Sequence, residues 1–555
     1  MIKVYIVGLI FFTIFFFSCG EKSEEVTPVV RLQSNVYMLA SDSFRGREAG
    51  TPDEINARDY IISQLKKMGL KPYFGDSYYK KFSFKDGAEF TNSSFAINDL
   101  SFEVNKDFYP LNNSKSDEVE GDLLNVGFGI MSSKPSHNDY PNHSILDGKI
   151  YVMEMSVPGG ASHWNDYAEY ADLDKRIELA SKFGAKAIIL INSDSTLDDP
   201  RKMISNKIGR TPIPVIIAKE SLSEYLLSQT SGKVMLNVSV KKIDKTGYNI
   251  AAIIDNNADN NIILGAHYDH LGMGGETSRY HGPAAIHNGA DDNASGVASV
   301  LELAYELKDK QLNYNIIIMS FSGEEKGLLG SSALIREHDI DKSKTVAMLN
   351  FDMVGRLDST HDLTVFGTGT ANEWDSVMNL IHDDSLNIKA APSGIGGSDQ
   401  MSFYLDSIPV LFFFTGFHTD YHTPADDAEK INYKGMKLVI DYAKNIIDNL
   451  NNLEGLTYHI TKARTSGNHN YRKGPTLGIV PDYGTTGGMT INAVLEGKPG
   501  QKAGLKKGDI IIKIGEKSVD DIYDYMDALK LCSFGKTYPI TVLRKGEKIT
   551  KTLEF

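Results

Sequence analysis

Ile316-Ile317-Ile318-Met319-Ser320-Phe321-Ser322-Gly323-Glu324-Glu325 is the stretch on which the fold turns. A short, nearly unbroken apolar run reads as a strand buried on both faces, and the glycine turn after it delivers two acids. The same grammar recurs. Ile262, Ile263 and Leu264 precede Gly265 and His267, with Asp269 two residues on; Val346, Met348, Leu349 and Phe351 precede Asp352; Val410 to Phe414 precede the loop carrying His422. Asp292 lies in a Gly-rich turn, Gly289 to Gly296. Helical patterns separate these runs, which predicts an α/β domain with a mixed, mostly parallel central sheet flanked by helices. Ligands of such sheets bind beyond the carboxyl ends of the strands, where all these acids and histidines fall. The expected function is therefore a metal site.

At 555 residues the chain has room for several domains, and its net charge of −14 with no basic patch excludes a nucleic-acid partner. Lys3, the apolar run Val4 to Phe17 and Ser18-Cys19-Gly20 read as a signal peptide over 1–18. That run, about 14 residues, is short of the roughly 20 that a spanning helix needs. The residues before Cys19 resemble a bacterial lipoprotein processing site, with Phe16 where such sites usually carry leucine. The resemblance implies lipidation at Cys19, a polar tether over 19–30 and a membrane-anchored place in the cell envelope, periplasmic or surface-exposed; the alternative is an ordinary cleaved signal and secretion. Cys532 is the other cysteine, so there is no disulfide framework, and it reads as a small buried side chain.

Ala57, Ile61, Leu65 and Met68 recur at helical spacing and stop at Gly69. Before them Arg45-Gly46-Arg47 followed by Gly50-Thr51-Pro52 resembles the opening of a bacterial aminopeptidase domain, which implies a first part of the peptidase domain over 31–120. From 121 to 240 the character changes: Lys149 to Val152, Ala187 to Ile191 and Ile213 to Ile217 read as strands, and Leu173 to Phe183 as a helix ended by Gly184. This order, with Lys182-Phe183-Gly184-Ala185-Lys186-Ala187, resembles an inserted α/β protease-associated domain. It carries no metal or nucleophile cluster, so it reads as a structural insertion that shapes access or as a binding module. Residues 241–452 hold the metal motifs, and 453–473 read as a linker. Over 474–555, Leu477-Gly478-Ile479, Ala503-Gly504-Leu505 and Gly508-Asp509-Ile510-Ile511 resemble a β-rich PDZ domain. The resemblance implies that amides around Leu477, Gly478 and Ile479 receive the carboxylate of a C-terminal peptide, or that the domain only docks.

Hard carboxylates mixed with imidazoles suit zinc, and two ions need one bridging carboxylate plus about two further ligands each. His267-Tyr268-Asp269-His270, Gly289 to Gly296, Ser322 to Glu325, Asn350 to Met353 and Asp420 to Thr423 together resemble the co-catalytic dizinc aminopeptidases, which have a zinc exopeptidase fold. The resemblance implies two Zn2+, with Asp292 as bridge, His267 and Asp352 completing one site, and Glu325 and His422 the other. It implies that Asp269 orients His267 by accepting its distal N–H, that Glu324 is the general base, and that Tyr421 donates to the oxyanion. The substrates implied are peptides with a free amino terminus. Ser398-Asp399-Gln400 departs from the family's Ser-Asp-His. His270, His281 and His287 read as loop or supporting residues, Asp291 as structural, and Glu302 and Glu306 as a solvent-facing helix pair. Two other functions compete: a carboxypeptidase of the same fold, with Arg279, Arg336 or Arg356 holding the substrate carboxylate, and a non-catalytic, tethered peptide-binding protein.

Overall fold

The computed structural model describes residues 26–140, 145–159, 166–167, 170, 172–193, 210–229, 231–275, 277–280, 282–382, 384–461, 475–481, 487–494, 497–520, 524–525, 528–529, 531–533 and 535–555. The signal peptide, Cys19, the tether up to residue 25, His281 and residues 462–473 of the linker lie outside the described residues. No helix among the described residues is long and apolar enough to cross a membrane.

The central sheet has nine strands. Four of them, Asn315–Phe321, Asn261–His267, Thr345–Phe351 and Val410–Phe414, lie side by side in that order and run parallel. Their residues are almost all buried, as their unbroken apolar runs require once both faces are covered. Antiparallel neighbours close the set: Lys241–Ile254 beside Asn315–Phe321, and Asp362–Phe366 beside Val410–Phe414. The helices Pro28–Leu39, Gly296–Leu307 and Tyr433–Leu450 share one core with one face, built around Ile262, Leu264, Val297, Leu301, Ile440 and Ile447. Leu334 from helix Leu329–Arg336 and Phe403 from helix Gln400–Leu405 pack with Ile263, Ile317 and Met348 on the other.

Three of these helices correct the reading of Glu302 and Glu306 as solvent-facing. Glu302 is 1% exposed and accepts from Arg31 Nε at 2.8 Å, while Glu306 Oε2 takes Lys444 Nζ at 2.6 Å. The i, i+4 spacing fixes a common helix face, but only tertiary packing of the first and last helices decides that this face is covered.

The inserted domain is a second, eight-stranded sheet with helices Leu173–Lys182 and Glu220–Ser228 over separate cores. Ser94–Ile97, Leu100–Phe102 and Phe108–Pro110 pair within this sheet, so the insertion reaches back beyond 121 into the segment assigned to the first part of the peptidase domain. Short strands carry no local mark of which sheet they will join. Tyr79–Glu89 and Lys241–Ile254 form a long antiparallel ribbon whose outer ends, Glu89 and Lys241, lead into the insertion. At the C-terminal end Ile479–Pro481, Met489–Val494, Ile510–Ile514, Thr537–Arg544 and Glu547–Glu554 form a separate antiparallel sheet around Leu477, Met489, Ile511 and Val542. Cys532 is buried in that core, as its reading required.

Candidate metal centre

His267 is the last residue of its strand, and Asp352 directly follows Phe351. Glu324 and Glu325 follow Phe321 through Ser322 and a glycine at φ +69°, which a side chain would strain. His422 comes from the loop after Phe414, and Asp292 from the loop that opens the helix Gly296–Leu307. That loop is pinned hard against the strand edge. Asp426 Oδ2 accepts from the amides of Asp291 at 2.9 Å and Asp292 at 3.1 Å, and Asn293 Nδ2 donates to Phe351 O at 2.9 Å. A Cβ on Gly296 would lie 2.2 Å from Phe351 O, so only glycine lets the helix start this close to the sheet. The Asp292–Asn293 peptide bond is cis.

The result is one carboxylate facing two ways. Asp292 Oδ1 is 3.3 Å from His267 Nε2, and the same nitrogen is 3.4 Å from Asp352 Oδ1. Asp292 Oδ2 is 3.1 Å from His422 Nε2, which is 3.2 Å from Glu325 Oε2. All five side chains are at least nine-tenths buried or close to it. Even so, His267 Nε2, His422 Nε2 and Asp352 Oδ1 have no hydrogen-bond partner. Buried nitrogen and oxygen donors that converge without bonding one another would be costly in an empty core, and they suit a divalent cation. Ligand-capable atoms of His267, Glu324 and Asp352 lie within 4.8 Å of one another, as do those of His270, Asp292 and Glu325.

The supporting residues are rearranged relative to expectation. His267 Nδ1 lies 3.2 Å from the Asp269 backbone carbonyl and 3.8 Å from the Asp269 carboxylate, so the main chain, and not the carboxylate, is placed to accept the distal N–H. The carboxylate accepts from the backbone amide of Glu324 instead, at 3.2 Å. Two residues of separation leave a backbone acceptor nearer than the side chain, which spacing alone does not disclose. His270 Nδ1 lies 2.7 Å from Glu325 Oε1 and 4.0 Å from Asp292, so it steadies Glu325. His287 bonds Ser278 Oγ and the Ala285 carbonyl, and Asp291 accepts from the Gly355 amide. Tyr421 stacks on His422 with ring centroids 3.8 Å apart. Burial, with Asp292 and Glu325 nearby, pushes its hydroxyl well up, which keeps it a donor.

Burial raises the Glu324 carboxyl well above the usual range against the pull of His267, with Glu325 and Asp352 adding to the rise. Burial also lifts Asp269, to about 8. Of the arginines considered for a substrate carboxylate, Arg356 is bound by Asp420 at 2.8 Å with Asp426 at 3.6 Å, and Arg279 and Arg336 are exposed.

Two supports gave no signal as site residues. Arg47 is 1% exposed and donates to the carbonyls of Leu39, Tyr268, Asn288 and Gly289 at 2.6 to 3.0 Å, joining the His267 loop to the Asp292 loop. Glu54 is fully buried and accepts from Tyr268 Oη at 3.0 Å, the Tyr248 amide at 3.2 Å and Ser322 Oγ. Arg47 belongs to the Arg45 to Pro52 motif and Glu54 follows it, but the roles of both depend on contacts some two hundred residues away.

In the C-terminal domain Leu477 is buried, Gly478 takes φ +65° and Ile479 opens a strand at the edge of its sheet. The Gly478 amide is 3.3 Å from Thr476 Oγ1.

A mostly parallel α/β sheet whose carboxyl edge gathers two imidazole–carboxylate pairs about one aspartate defines an α/β protein with a candidate two-metal centre. Residues 249–447 match Peptidase family M28 and residues 467–554 match the PDZ domain. These two matches fall on most of the metal-bearing sheet and on the C-terminal sheet respectively. An aminopeptidase of Pseudomonas aeruginosa is 27% identical over 348 residues, 60% of this chain and 58% of that one. Aminopeptidase YwaD of Bacillus subtilis is 27% identical over 407 residues, 71% of this chain and 78% of that one. The chain thus spans little more than half the length of its Pseudomonas relative. A solved structure of BSAP, a zinc aminopeptidase from Bacillus subtilis, aligns with a TM-score of 0.47 at 22% identity, over 76% of this chain and 95% of that one.

Proposed function

We propose that this protein is a zinc aminopeptidase that removes residues from the free amino end of peptides outside the cytoplasm. The observation that carries the reading is Asp292 set between His267 with Asp352 and His422 with Glu325, with the Glu324 carboxyl beside the first pair. The names of the Pseudomonas and Bacillus relatives support it.

His267, Asp292 and Asp352 would hold one Zn2+, and Asp292, Glu325 and His422 a second. Zinc there would polarise a scissile carbonyl and lower the pKa of water. Glu324 takes the proton of the attacking water and returns it to the leaving amine. Asp269 fixes the main chain of that base, and Tyr421 donates its hydroxyl to the developing oxyanion. His270 keeps Glu325 aimed inward. The pairing of Arg356 with Asp420 and Asp426 removes one cation that a carboxypeptidase would need, which favours the amino end.

The test is a panel of amino-acyl and peptide substrates, free and blocked at the amino end, with and without chelator. Chelator-sensitive release of the first residue from free substrates only is expected; cleavage of blocked substrates sinks the aminopeptidase reading. Lipidation at Cys19 would hold this activity at the cell envelope, and incorporation of labelled fatty acid that Cys19→Ala abolishes is the expected result. The edge strand at Ile479 would receive the C-terminal carboxylate of a peptide partner. Deleting residues 477–555 should then leave hydrolysis of short substrates intact while losing that partner.

A further inference from the structure

Lys326 immediately follows Glu324 and Glu325, yet the chemistry above leaves it unused. Its Nζ lies 3.1 Å from Glu48 Oε1 and 3.0 Å from Asp86 Oδ2. Lys245 Nζ shares Asp86 Oδ2 at 2.8 Å, with Glu48 Oε1 at 4.0 Å. The four side chains are 23 to 35% exposed and alternate in sign, so each charge has two partners of the opposite kind. A partly buried network of this sort holds its geometry better than an isolated exposed pair.

The partners come from different parts of the chain. Asp86 and Lys245 sit on the two strands of the ribbon that leads into the inserted domain, with Lys245 opposite Phe84. Glu48 follows the buried Arg47 and packs on Gly272, where an added Cβ would stand 2.9 Å from the Glu48 Cβ. Gly272 belongs to the loop just after His270. Lys326 itself lies inside a turn closed by the amides of Gly327 and Leu328 on the Glu324 carbonyl, at 2.8 and 3.0 Å. Sheet pairing and the Asn249 side chain fix the start of the turn at Ser320 and Ser322, and the side chain of Lys326 adds a link from beyond Glu325 to the ribbon bearing the insertion.

We propose that Lys326 is a positioning residue: through Asp86 and Glu48 it fixes the Glu324–Glu325 turn to the insertion-bearing ribbon, so that the seating of the inserted domain is felt at the two carboxylates. A lysine kept only for stability would alter the unfolding midpoint and leave turnover alone. The activity arm of the test rests on the aminopeptidase reading; a second arm does not.

The experiment uses the full chain, zinc-loaded for kinetics on an unblocked amino-acyl amide and metal-free for hydrogen exchange. Lys326→Met and Asp86→Asn are each expected to keep the zinc content while kcat falls about tenfold with KM within about twofold, and the double variant to be no worse than either single one. Lys326→Arg should recover most of kcat, because it keeps the charge and reach. In metal-free protein, Lys326→Met should speed exchange at the Gly327 and Leu328 amides without lowering the unfolding midpoint. Wild-type kcat in Lys326→Met together with unchanged exchange overturns the proposal, and so does simple addition of the two losses in the double variant. A wild-type chain that cleaves nothing overturns the aminopeptidase reading, while the exchange arm still decides whether Lys326 tethers the turn.

Discussion

The backbone amide of Glu324 donates to Asp269 Oδ1 at 3.2 Å, so the strand end bearing His267 holds the main chain of the neighbouring acid turn. Asp269 acts here as an acceptor in a fully buried place, with its carboxyl lifted to about 8 by burial. Asp269→Asn keeps an oxygen there and is expected to cost little in kcat. Asp269→Ala strands the Glu324 amide and should lower kcat by about a hundredfold, since a misplaced base of this kind costs that order. Zinc content, measured by atomic absorption, should be unchanged in both; a loss of metal in the alanine variant alone would show instead that Asp269 serves His267.

Glu324→Gln separates a base from a ligand. The ligand-capable atoms of Glu324, His267 and Asp352 lie within 4.8 Å of one another, so position alone allows either role. As a base, its loss should reduce turnover by about 10² to 10⁴ while the zinc content stays as in the wild type. Loss of one zinc per chain would make it a ligand.

Asp292 faces both the His267 and the His422 imidazole, at 3.3 Å and 3.1 Å. Asp292→Ala is therefore expected to weaken both metal positions together, whereas Asp352→Ala should weaken one. Equilibrium dialysis against a graded chelator reads this directly. Retention of both ions by Asp292→Ala would mean that no bridge exists.

The edge of the sheet was legible because its chemistry is local. A strand announces itself by an unbroken apolar run, and the residue after it must stand at the carboxyl edge, so His267, Glu325 and Asp352 follow from their own neighbourhoods. What the chain order hides is anything that depends on a distant backbone. Arg47 reaches carbonyls at Tyr268 and Gly289, Asp426 caps the amides at Asp291 and Asp292, and Glu302 is covered because Arg31 folds over it. The three strands between 94 and 110 lie outside the bounds expected for the insertion for the same reason: partners more than a hundred residues away draw Ser94–Ile97 and Phe108–Pro110 into its sheet, and Leu100–Phe102 follows by pairing with Ser94–Ile97.

Arg47 should be the most costly single position outside the centre. Its carbonyl acceptors at Leu39, Tyr268 and Gly289 are buried and that at Asn288 partly so, and burial pushes the guanidinium down to about 10, still charged at neutral pH. Removing the donor in Arg47→Met leaves those carbonyls unpaired, with an expected loss on the order of 3–5 kcal/mol in chemical denaturation. Arg47→Lys should lie between, because an ammonium cannot span acceptors on three segments. A wild-type midpoint in Arg47→Met would refute the assignment.

Metal loading should also be coupled to protons through His422. Burial disfavours charge on its imidazole, but the Asp292 and Glu325 carboxylates, 3.1 and 3.2 Å away, outweigh this and hold its pKa at about 10 in the metal-free protein, above the ordinary 6.5. At neutral pH the metal-free protein therefore carries a proton on His422, and a ligand imidazole must be neutral, so zinc has to displace that proton. Calorimetric titration at pH 7.5 in two buffers of different ionisation enthalpy should show proton release that His422→Ala reduces. The sign for folding follows from the same shift. A pKa raised on folding gives the metal-free protein stability that is fully present below about pH 6.5 and lost as pH rises through about 10. Denaturation of chelated wild type and His422→Ala across that window should show the wild type losing its advantage at the alkaline end. An advantage that grows with pH would place the proton elsewhere in the cluster.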